Sequence, residues 1–486
     1  MSAERPNVIL ITADQFRGDA LYSAGNPYIQ TPHLDQLGYA GARFSGAFSE
    51  CPICVAGRLC LMTGKSPWAT GVYSNSKVEN WSHAFLAEAF GRHGYQTQAV
   101  GKLHVTPQRR RIGFDHVLLN EEGRREGKLR LDDYEMYLQE KGLLQQLWAH
   151  GMPANGLQSR PATLPEEHIS DAWTAREACR FLERRDTTQP FFLYVSFRNP
   201  HPPLTPAQVY WDLYRDRPVR APVRGEWVGR REPSNLAFNR ARNNCDLQPE
   251  AERLQAIRAY YALITGIDHQ IGVLTGELRE RGLAHNTAIL FTADHGEMLF
   301  DHDAAHKSMF YQASARIPML LSVPEGVRET RPGLVIDRPV MLQDVMPTLL
   351  DAAGLPVPEG VEGRSMLPLL QDSGAPWREH AVGCFGRHTY GITDNRFRYI
   401  YWLDGGLEQL FDCVNDPDER VDLAEDPKYA VELKAFRARL VDELARREDD
   451  NLQGGKLASK EPRPFDERVA RRSSGWNVRG LHWPSI

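Results

Sequence analysis

The chain has 486 residues, of which 42% are hydrophobic and 25% charged, the mix of a soluble globular protein with material for a large core and more than one domain. A formal net charge of −5 argues against a general nucleic-acid binder, and runs such as Arg109-Arg110-Arg111 read as solvated faces. Seven cysteines in so long a chain are not a disulfide framework, and neither a membrane-spanning apolar run nor a signal-like stretch is apparent, so the expectation is a cytoplasmic protein with no membrane partner.

The first element is Asn7-Val8-Ile9-Leu10-Ile11-Thr12, a β-branched run suited to a buried parallel strand. It ends in Ala13-Asp14-Gln15, and the carboxyl ends of strands are where ligands bind in open α/β sheets. Asp14 is thus a candidate cation ligand, with a turn or cap as the ordinary alternative. Thr31 and Pro32 read as the cap and first position of a helix. Cys51-Pro52-Ile53-Cys54 reads as a loop running into a helix near Cys54. A residue there sits beside unpaired backbone N–H groups and the positive end of the dipole. Arg58, four residues on, shares its helix face. The plain alternative is that Cys51, Cys54 and Cys60 pack as small hydrophobes. Residues 73–76 form a polar loop in which Asn75 either turns the chain or points an amide into the site. Residues 82–93 read as an amphipathic helix and 97–100 as a strand, followed by Gly101-Lys102-Leu103-His104. In an extended segment Lys102 and His104 point the same way.

Residues 115–165 are charge-rich and helix-forming, without legible chemistry; 169–184 read as a helix and 191–196 as a buried strand. In Asn199-Pro200-His201-Pro202-Pro203, flanking prolines hold His201 in place as a candidate acid or base. Residues 211–244, rich in Arg and Pro, read as an insertion beside the substrate, and 250–281 as a long helix. The strand 287–292 leads to Ala293-Asp294-His295-Gly296-Glu297, where Asp294 and His295 offer hard-oxygen and imidazole ligands; Lys307 follows. A strand at 317–321, a helix at 343–353 and residues 363–368 close a large domain. Beyond it, 380–385, 389–393 and 398–402 read as short antiparallel strands, and 429–447 as an amphipathic helix. The polar, basic tail from about 449, with Trp476 and Trp483, reads as disordered or as an arm around a neighbouring subunit, hence an expected homo-oligomer. The fold class is α/β: residues 1–372 form a catalytic domain with a large, mostly parallel sheet flanked by helices, and 373–486 a smaller domain with an antiparallel sheet and a helix.

Asp14, Cys54 with Arg58, Lys102 with His104, His201, Asp294 with His295, and Lys307 all fall at strand ends or in adjoining loops. On one sheet edge they would set a metal and several cations around one nucleophile, as transfer of a sulfuryl or phosphoryl group requires. In order and context these pieces resemble the sulfatase branch of the alkaline phosphatase superfamily along nearly the whole chain. The motifs that carry the resemblance are residues 7–15, Cys54 with Ala56, Arg58 and Thr63-Gly64, Gly101 to His104, Pro200-His201-Pro202, Thr292 to Gly296, and Lys307. Ala56 stands where Pro is commoner in that signature, and Gly57 where Ser or Ala is usual.

The resemblance implies the following roles. A maturation enzyme converts Cys54 to formylglycine, whose hydrate is the nucleophile. Asp14, Gln15, Cys54, Asp294 and His295 hold one divalent cation, calcium in most of the family, with manganese as the alternative. Arg58 and Lys102 hold the nucleophile and the equatorial oxygens. Lys307 and His201 bind the sulfate and protonate the leaving alkoxide, Asn75 contacts substrate, and His104 takes the proton that lets sulfate leave. The Asp14-Gln15 and Asp294-His295 pairs are most similar to choline sulfatases and phosphonate monoester hydrolases. The expected reaction is hydrolysis of a small alkyl or aryl sulfate monoester to alcohol and inorganic sulfate. A phosphonate monoester or phosphodiester hydrolase is the alternative: Asn75 and the Pro200–Pro203 phrase suit it, whereas Lys102 and His104 suit the sulfatase pattern. A third reading, an inert scaffold with zinc on Cys51, Cys54 and His104, would follow if Cys54 stayed a thiol.

Overall fold

The computed structural model describes residues 5–76, 78, 81–121, 131–328, 330–462 and 464–472; Trp476 and Trp483 lie outside them. Eight strands form the main sheet: β1 (Asn7–Asp14), β2 (Ala42–Phe44), β3 (Gln96–Gly101), β4 (His116–Leu119), β5 (Phe191–Pro200), β6 (Thr287–Ala293), β7 (Met319–Ser322) and β8 (Leu334–Ile336). Their order is β4-β3-β5-β1-β6-β7-β2-β8. All strand pairs in it are parallel except those made by β7. β1 lies at the centre, Ile9 in register with Leu193 on one side and Ile289 on the other, and every one of its residues is buried. A strand covered on both faces needs the continuous apolar run this segment has.

Helices pack around the sheet: α1 (Pro32–Ala40), α2 (Cys54–Thr63), α3 (Ser170–Arg184), α4 (Ser234–Asn243), α5 (Glu250–Glu280) and α6 (Val345–Ala352). Along α5 the buried residues Tyr260, Ile264, Ile267, Ile271, Leu274 and Leu278 recur every three or four positions, an apolar stripe that packs on α1, α3 and β5. Because β3, β5, β1 and β6 run in one direction, Gly101, Pro200, Asp14 and Ala293 end at one edge. A register shift between Ala13 and Asp14 sets Asp14 opposite Pro200. Such a bulge re-aims the side chain that follows it.

The second sheet is an antiparallel meander of β9 (Ala381–Phe385), β10 (Thr389–Thr393), β11 (Phe397–Trp402) and β12 (Leu407–Asp412), with α7 (Ala430–Arg446) beside it. Three of these strands are those expected; β12 is a fourth. Phe436, Leu440 and Leu444 of α7 join one apolar cluster with Tyr390, Ile392 and Tyr399. A second cluster joins Ile400, Trp402 and Phe411 to Phe48, Phe310 and Tyr311 of the first sheet's loops. A Cβ on Gly383 or Gly391 would come within 2.6 or 2.4 Å of the Phe310 ring, so only glycine lets the second sheet lie this close. The two sheets therefore share a core.

Three local expectations are corrected. The helix expected over 82–93 spans only Leu86–Gly91, because Phe85 is extended and buried against Trp81. Residues 115–165 contain β4 and a helix, Asp133–Glu140, started by an Asp132–Glu135 capping box. The start of the tail packs on its own chain: Asp449 accepts hydrogen bonds from Trp68 Nε1 (2.7 Å) and the Tyr390 hydroxyl (3.1 Å), and Phe465 meets Phe238 edge-on.

Candidate active site

Cys54 is the first residue of α2, which starts after extended Ile53. Asn75 supplies the missing partner at this helix start: its Oδ1 accepts the Val55 N–H at 2.9 Å. The Cys54 Sγ lies 3.2 Å from His295 Nε2 and 3.8 Å from Asp14 Oδ1. His295 Nδ1 donates to the Gly296 carbonyl at 3.0 Å, which fixes the tautomer and turns a bare Nε2 towards the thiol.

One turn along α2, the buried Arg58 guanidinium reaches all four strand ends. It donates to Asp14 Oδ2 (3.2 Å) after β1, to Asp294 Oδ2 (2.9 Å) after β6, to the Lys102 carbonyl (2.8 Å) after β3, and to Ser196 Oγ (2.8 Å) and the Tyr194 hydroxyl (3.0 Å) on β5. Lys102 Nζ, fully buried, pairs with the same Asp14 Oδ2. Burial alone would raise the Asp14 carboxyl; Lys102, His201 and Arg58 outweigh it and hold the group well below the usual carboxylate range. Burial and Asp14 likewise oppose the Cys54 thiolate, but Lys307, Lys102 and His295 bring the thiol down to about 7. The His295 imidazole is raised: burial acts against its charge, and Asp294 and Cys54 act more strongly for it.

A second chain of contacts runs from the sheet to Lys307. Glu297, fully buried, accepts the N–H groups of Leu299 (2.8 Å) and His306 (2.5 Å). The Gln15 Nε2 also donates to Glu297, and its Oε1 accepts from Lys307 Nζ. The Gln15 side chain is thus engaged by Glu297 and Lys307, while its backbone N–H donates to Asp294 Oδ1 (3.1 Å). Burial works against the Glu297 carboxylate, yet the hydrogen bond and charge of His306 pull it down to about 2.

Above Cys54 opens a cleft of about 700 Å³, into which Asn75, His201 and Lys307 also face as lining residues. His201 Nδ1 sits 2.7 Å from the Pro202 carbonyl. Residues 153–158 and α4 form the walls. The backbone leading to His104 differs from the extended segment expected. The strand ends at Gly101 with φ at +104°, and His104 itself has φ at +59°, so the segment is not extended and alternation does not set the directions of Lys102 and His104. The Leu103 and His104 N–H groups both donate to Glu121 Oε1, at 2.9 and 2.8 Å, and His104 lies outside the described cleft lining. Glu297, Glu121, Tyr194 and Ser196 were not singled out from sequence. Tyr194 and Ser196, polar at i and i+2 of an apolar strand and both bonded to Thr12, carried a signal in their spacing.

Asp14, Cys54, Asp294 and His295 each offer a buried ligand atom, and these atoms lie within 4.8 Å of one another. With Asp14 Oδ2 occupied by Arg58 and Lys102, Oδ1 faces this group. Two carboxylates and an imidazole suit a divalent cation. Among the described residues no such group joins Cys51, Cys54 and His104; Cys51 Sγ donates to the Tyr73 carbonyl at 3.4 Å, and burial pushes its thiol up.

The fold and this buried cluster define a hydrolase of the alkaline phosphatase superfamily. Residues 6–355 match the family model described as Sulfatase, and residues 300–447 that described as N-sulphoglucosamine sulphohydrolase, C-terminal. An arylsulfatase of Clostridium perfringens (strain 13 / Type A) is 34% identical over 478 residues, covering 94% of this chain and 98% of its own length. A choline-sulfatase of Rhizobium meliloti (strain 1021) is 29% identical over 467 residues, covering 90% and 86%. The crystal structure of a phosphonate monoester hydrolase of Agrobacterium radiobacter superposes with a TM-score of 0.77 at 24% identity, over 94% of this chain and 100% of that one, a likeness of fold. The chain belongs to the sulfatase family and is a sulfuric ester hydrolase.

Proposed function

We propose that the protein hydrolyses small sulfate monoesters to an alcohol and inorganic sulfate, with Cys54 converted to formylglycine as its nucleophile. The observation that carries this reading is the position of Cys54: first residue of α2, 3.2 Å from His295 Nε2, beside Asp14, with Arg58 of the same helix tied to both carboxylates. When bound by Asp14, Asp294, His295 and converted residue 54, a divalent cation, calcium or manganese, supplies Lewis acidity, and the hydrated aldehyde supplies the attacking hydroxyl. Arg58 keeps the two carboxylates in place, and with Lys102 offsets their charge. Lys307 and His201, which line the cleft, meet the sulfate oxygens and pass a proton to the leaving alkoxide. His201 donates Nδ1–H to the Pro202 carbonyl, so its Nε2 serves that transfer. Gln15 acts through Lys307, Asn75 orders the start of α2 and contacts substrate, and His104 takes the second proton.

We read residues 1–372 as the catalytic part and 373–486 as a smaller part that depends on it through their shared core. No helix among the described residues is long and apolar enough to cross a membrane. Our reading is a cytoplasmic homo-oligomer that relies on a maturation enzyme. A phosphonate monoester, with the same single negative charge, is the second reading, favoured by Asn75 in the cleft lining.

The test is the mass of the tryptic peptide Phe44–Arg58 from protein made in its native host, followed by turnover of a nitrophenyl sulfate beside a phenyl phosphonate monoester. An aldehyde at position 54 and faster sulfate release support the reading. An unmodified Cys54 in active, native-host protein overturns the nucleophile, and faster phosphonate cleavage moves the function to the second reading.

A further inference from the structure

The segment that carries Lys307 has an unusual backbone. Leu299 (φ +46°), Phe300 (+72°), His302 (+55°), Asp303 (+54°), His306 (+66°) and Ser308 (+79°) are all left-handed, and none of them is glycine. Residues with a Cβ avoid that region, and a run of them persists only where the surroundings fix it. Whatever fixes this loop also fixes the cation that Lys307 presents to the cleft. Gln15, which meets Lys307 from the end of β1, is itself left-handed at +69°.

Both sides of that contact converge on Glu297. Its Oε1 accepts the N–H of Leu299 (2.8 Å) and of His306 (2.5 Å), so one oxygen ties together the two ends of the loop. Its Oε2 accepts from Gln15 Nε2. A carboxylate has no proton to give, so Gln15 has to turn its NH2 group to Glu297, which leaves its carbonyl oxygen for Lys307 Nζ. The opposite setting of this amide would put oxygen against oxygen at one end and N–H against ammonium at the other. The Gln15 backbone is pinned, its N–H on Asp294 Oδ1 (3.1 Å) and its carbonyl under the Tyr260 hydroxyl (2.7 Å), so the side-chain amide is the part left to be set.

Glu297 is fully buried and lies outside the described cleft lining, so it acts through the residues it holds. The loop has other anchors. Arg17 donates to the Glu297 and Met298 carbonyls (3.2 and 3.3 Å), and Asp301 accepts the Val223 N–H at 2.8 Å. The Glu297 side chain can therefore be altered while the loop keeps its attachments to the rest of the fold.

We propose that Glu297 is a positioning residue for sulfate ester hydrolysis: it sets the direction of the Gln15 amide, and through that amide it aims the Lys307 ammonium at the oxygens of the bound ester. This inference rests on the sulfatase reading. In that reaction a bond forms from the nucleophile to sulfur, the bond from sulfur to the alcohol oxygen breaks, and the electron pair of the broken bond stays on that oxygen. A cation aimed there helps most when the departing oxygen is a strong base. A misdirected Lys307 is thus revealed by which esters suffer as well as by how much.

The experiment uses full-length protein from its native host, with conversion of residue 54 checked by peptide mass in every variant, and phenyl sulfates whose ring substituents run from good to poor leaving groups. In Glu297→Gln the introduced amide keeps an oxygen for Leu299 and His306 but turns an NH2 group on Gln15, which forces the Gln15 amide over and sets its N–H against Lys307. The expected result is a fall in kcat on the order of thirtyfold for phenyl sulfate and only about threefold for 4-nitrophenyl sulfate, with a rise of about threefold in the inhibition constant of inorganic sulfate. Glu297→Gln combined with Gln15→Glu exchanges the two side chains, restores an acceptor to Lys307 and should recover about tenfold of the rate lost on phenyl sulfate. A loss equal for all leaving groups with sulfate inhibition unchanged is what a loosened fold would give, and it overturns the inference. So does a wild-type rate in Glu297→Gln, or a double variant no better than the single one. If urea unfolding shows that Glu297→Gln does not fold, Gln15→Ala, which removes the relay and leaves the Glu297 clamp on the loop whole, carries the test: the same dependence on leaving group supports the inference and a uniform loss overturns it. Turnover of 4-nitrophenyl sulfate by the wild type keeps the sulfatase reading standing whichever way the variants fall; no turnover of any sulfate ester by converted wild-type protein removes both.

Discussion

The floor of the cleft and its walls contrast in charge, burial and connection. The floor is four strand ends drawn together by Arg58, with Asp14, Lys102, Asp294 and His295 all buried. The walls, residues 153–158 and α4, carry amides, are half-buried or exposed for the most part, and include no carboxylate in the described lining. A buried charge needs its partners in place, so the floor tolerates little displacement. An amide at a wet rim can be exchanged at small cost. Reaction chemistry is thus bound to the sheet register, and choice of alcohol to segments that can vary without unfolding it.

The largest effect should come from the floor. Arg58→Ala leaves two buried carboxylates short of their shared cation and is expected to cost about 3–5 kcal/mol, read from urea unfolding, together with loss of detectable sulfate ester turnover. A stability unchanged within 1 kcal/mol, on the order of a surface substitution, would erase the contrast drawn above.

Next comes Asp171 of α3, whose Oδ2 accepts from Asn199 Nδ2 at 2.7 Å, two residues before His201. Burial pushes its carboxyl up to about 6, the Asn199 hydrogen bond and Arg198 opposing only in part. A raised carboxyl pKa means that the folded state holds the proton more tightly. The contribution is therefore present below about pH 4 and lost as the pH rises through 6. Asp171→Asn should match wild type near pH 4 and exceed it by roughly 2–3 kcal/mol at pH 8, taking about 1.4 kcal/mol per pKa unit. Parallel urea midpoints at both pH values would contradict this.

A smaller effect is expected where wall meets floor. Asn239 of α4 donates to the Ala305 carbonyl and accepts the Ala305 N–H, both at 2.9 Å, two residues before Lys307. Asn239→Ala should cost about 1–3 kcal/mol. It should also lower kcat more than it raises KM, because Lys307 loses its alignment. The smallest belongs to the wall itself: Asn155→Ala should change stability by less than about 0.5 kcal/mol and raise KM for a sulfate ester with kcat nearly unchanged. A collapse of kcat in that variant would make Asn155 part of the floor.

Much of the floor was legible in sequence because strands announce themselves. Residues 7–12 and 287–292 are apolar runs that stop at Asp14 and Asp294, and a polar residue just past a buried strand has few places to go. The α5 stripe was legible through its period. The backbone path from Gly101 to His104 was not, since it depends on the left-handed conformation of those two residues, which alternation arguments do not contain. β12 was not read as a strand, as Leu407-Glu408-Gln409-Leu410-Phe411-Asp412 has no β-branched residue and owes its place to pairing with β11. The amide walls were illegible in detail for another reason: Asn155, Asn239 and His388 come from segments distant in the chain, and no local pattern marks residues that meet only in the folded protein.

Burial of Cys54 has a consequence in time. The residue is 1% exposed and its backbone belongs to a formed helix, so an enzyme that must grip the surrounding peptide cannot do so once α2 has docked. On the reading proposed above, conversion has to happen while residues 51–63 are still unfolded. The fraction of active protein is then the outcome of a race between modification and folding, decided once per molecule and not correctable afterwards. Conditions that slow folding without slowing the modifying enzyme would raise the active fraction, and a chain that folds first stays a thiol for the rest of its life.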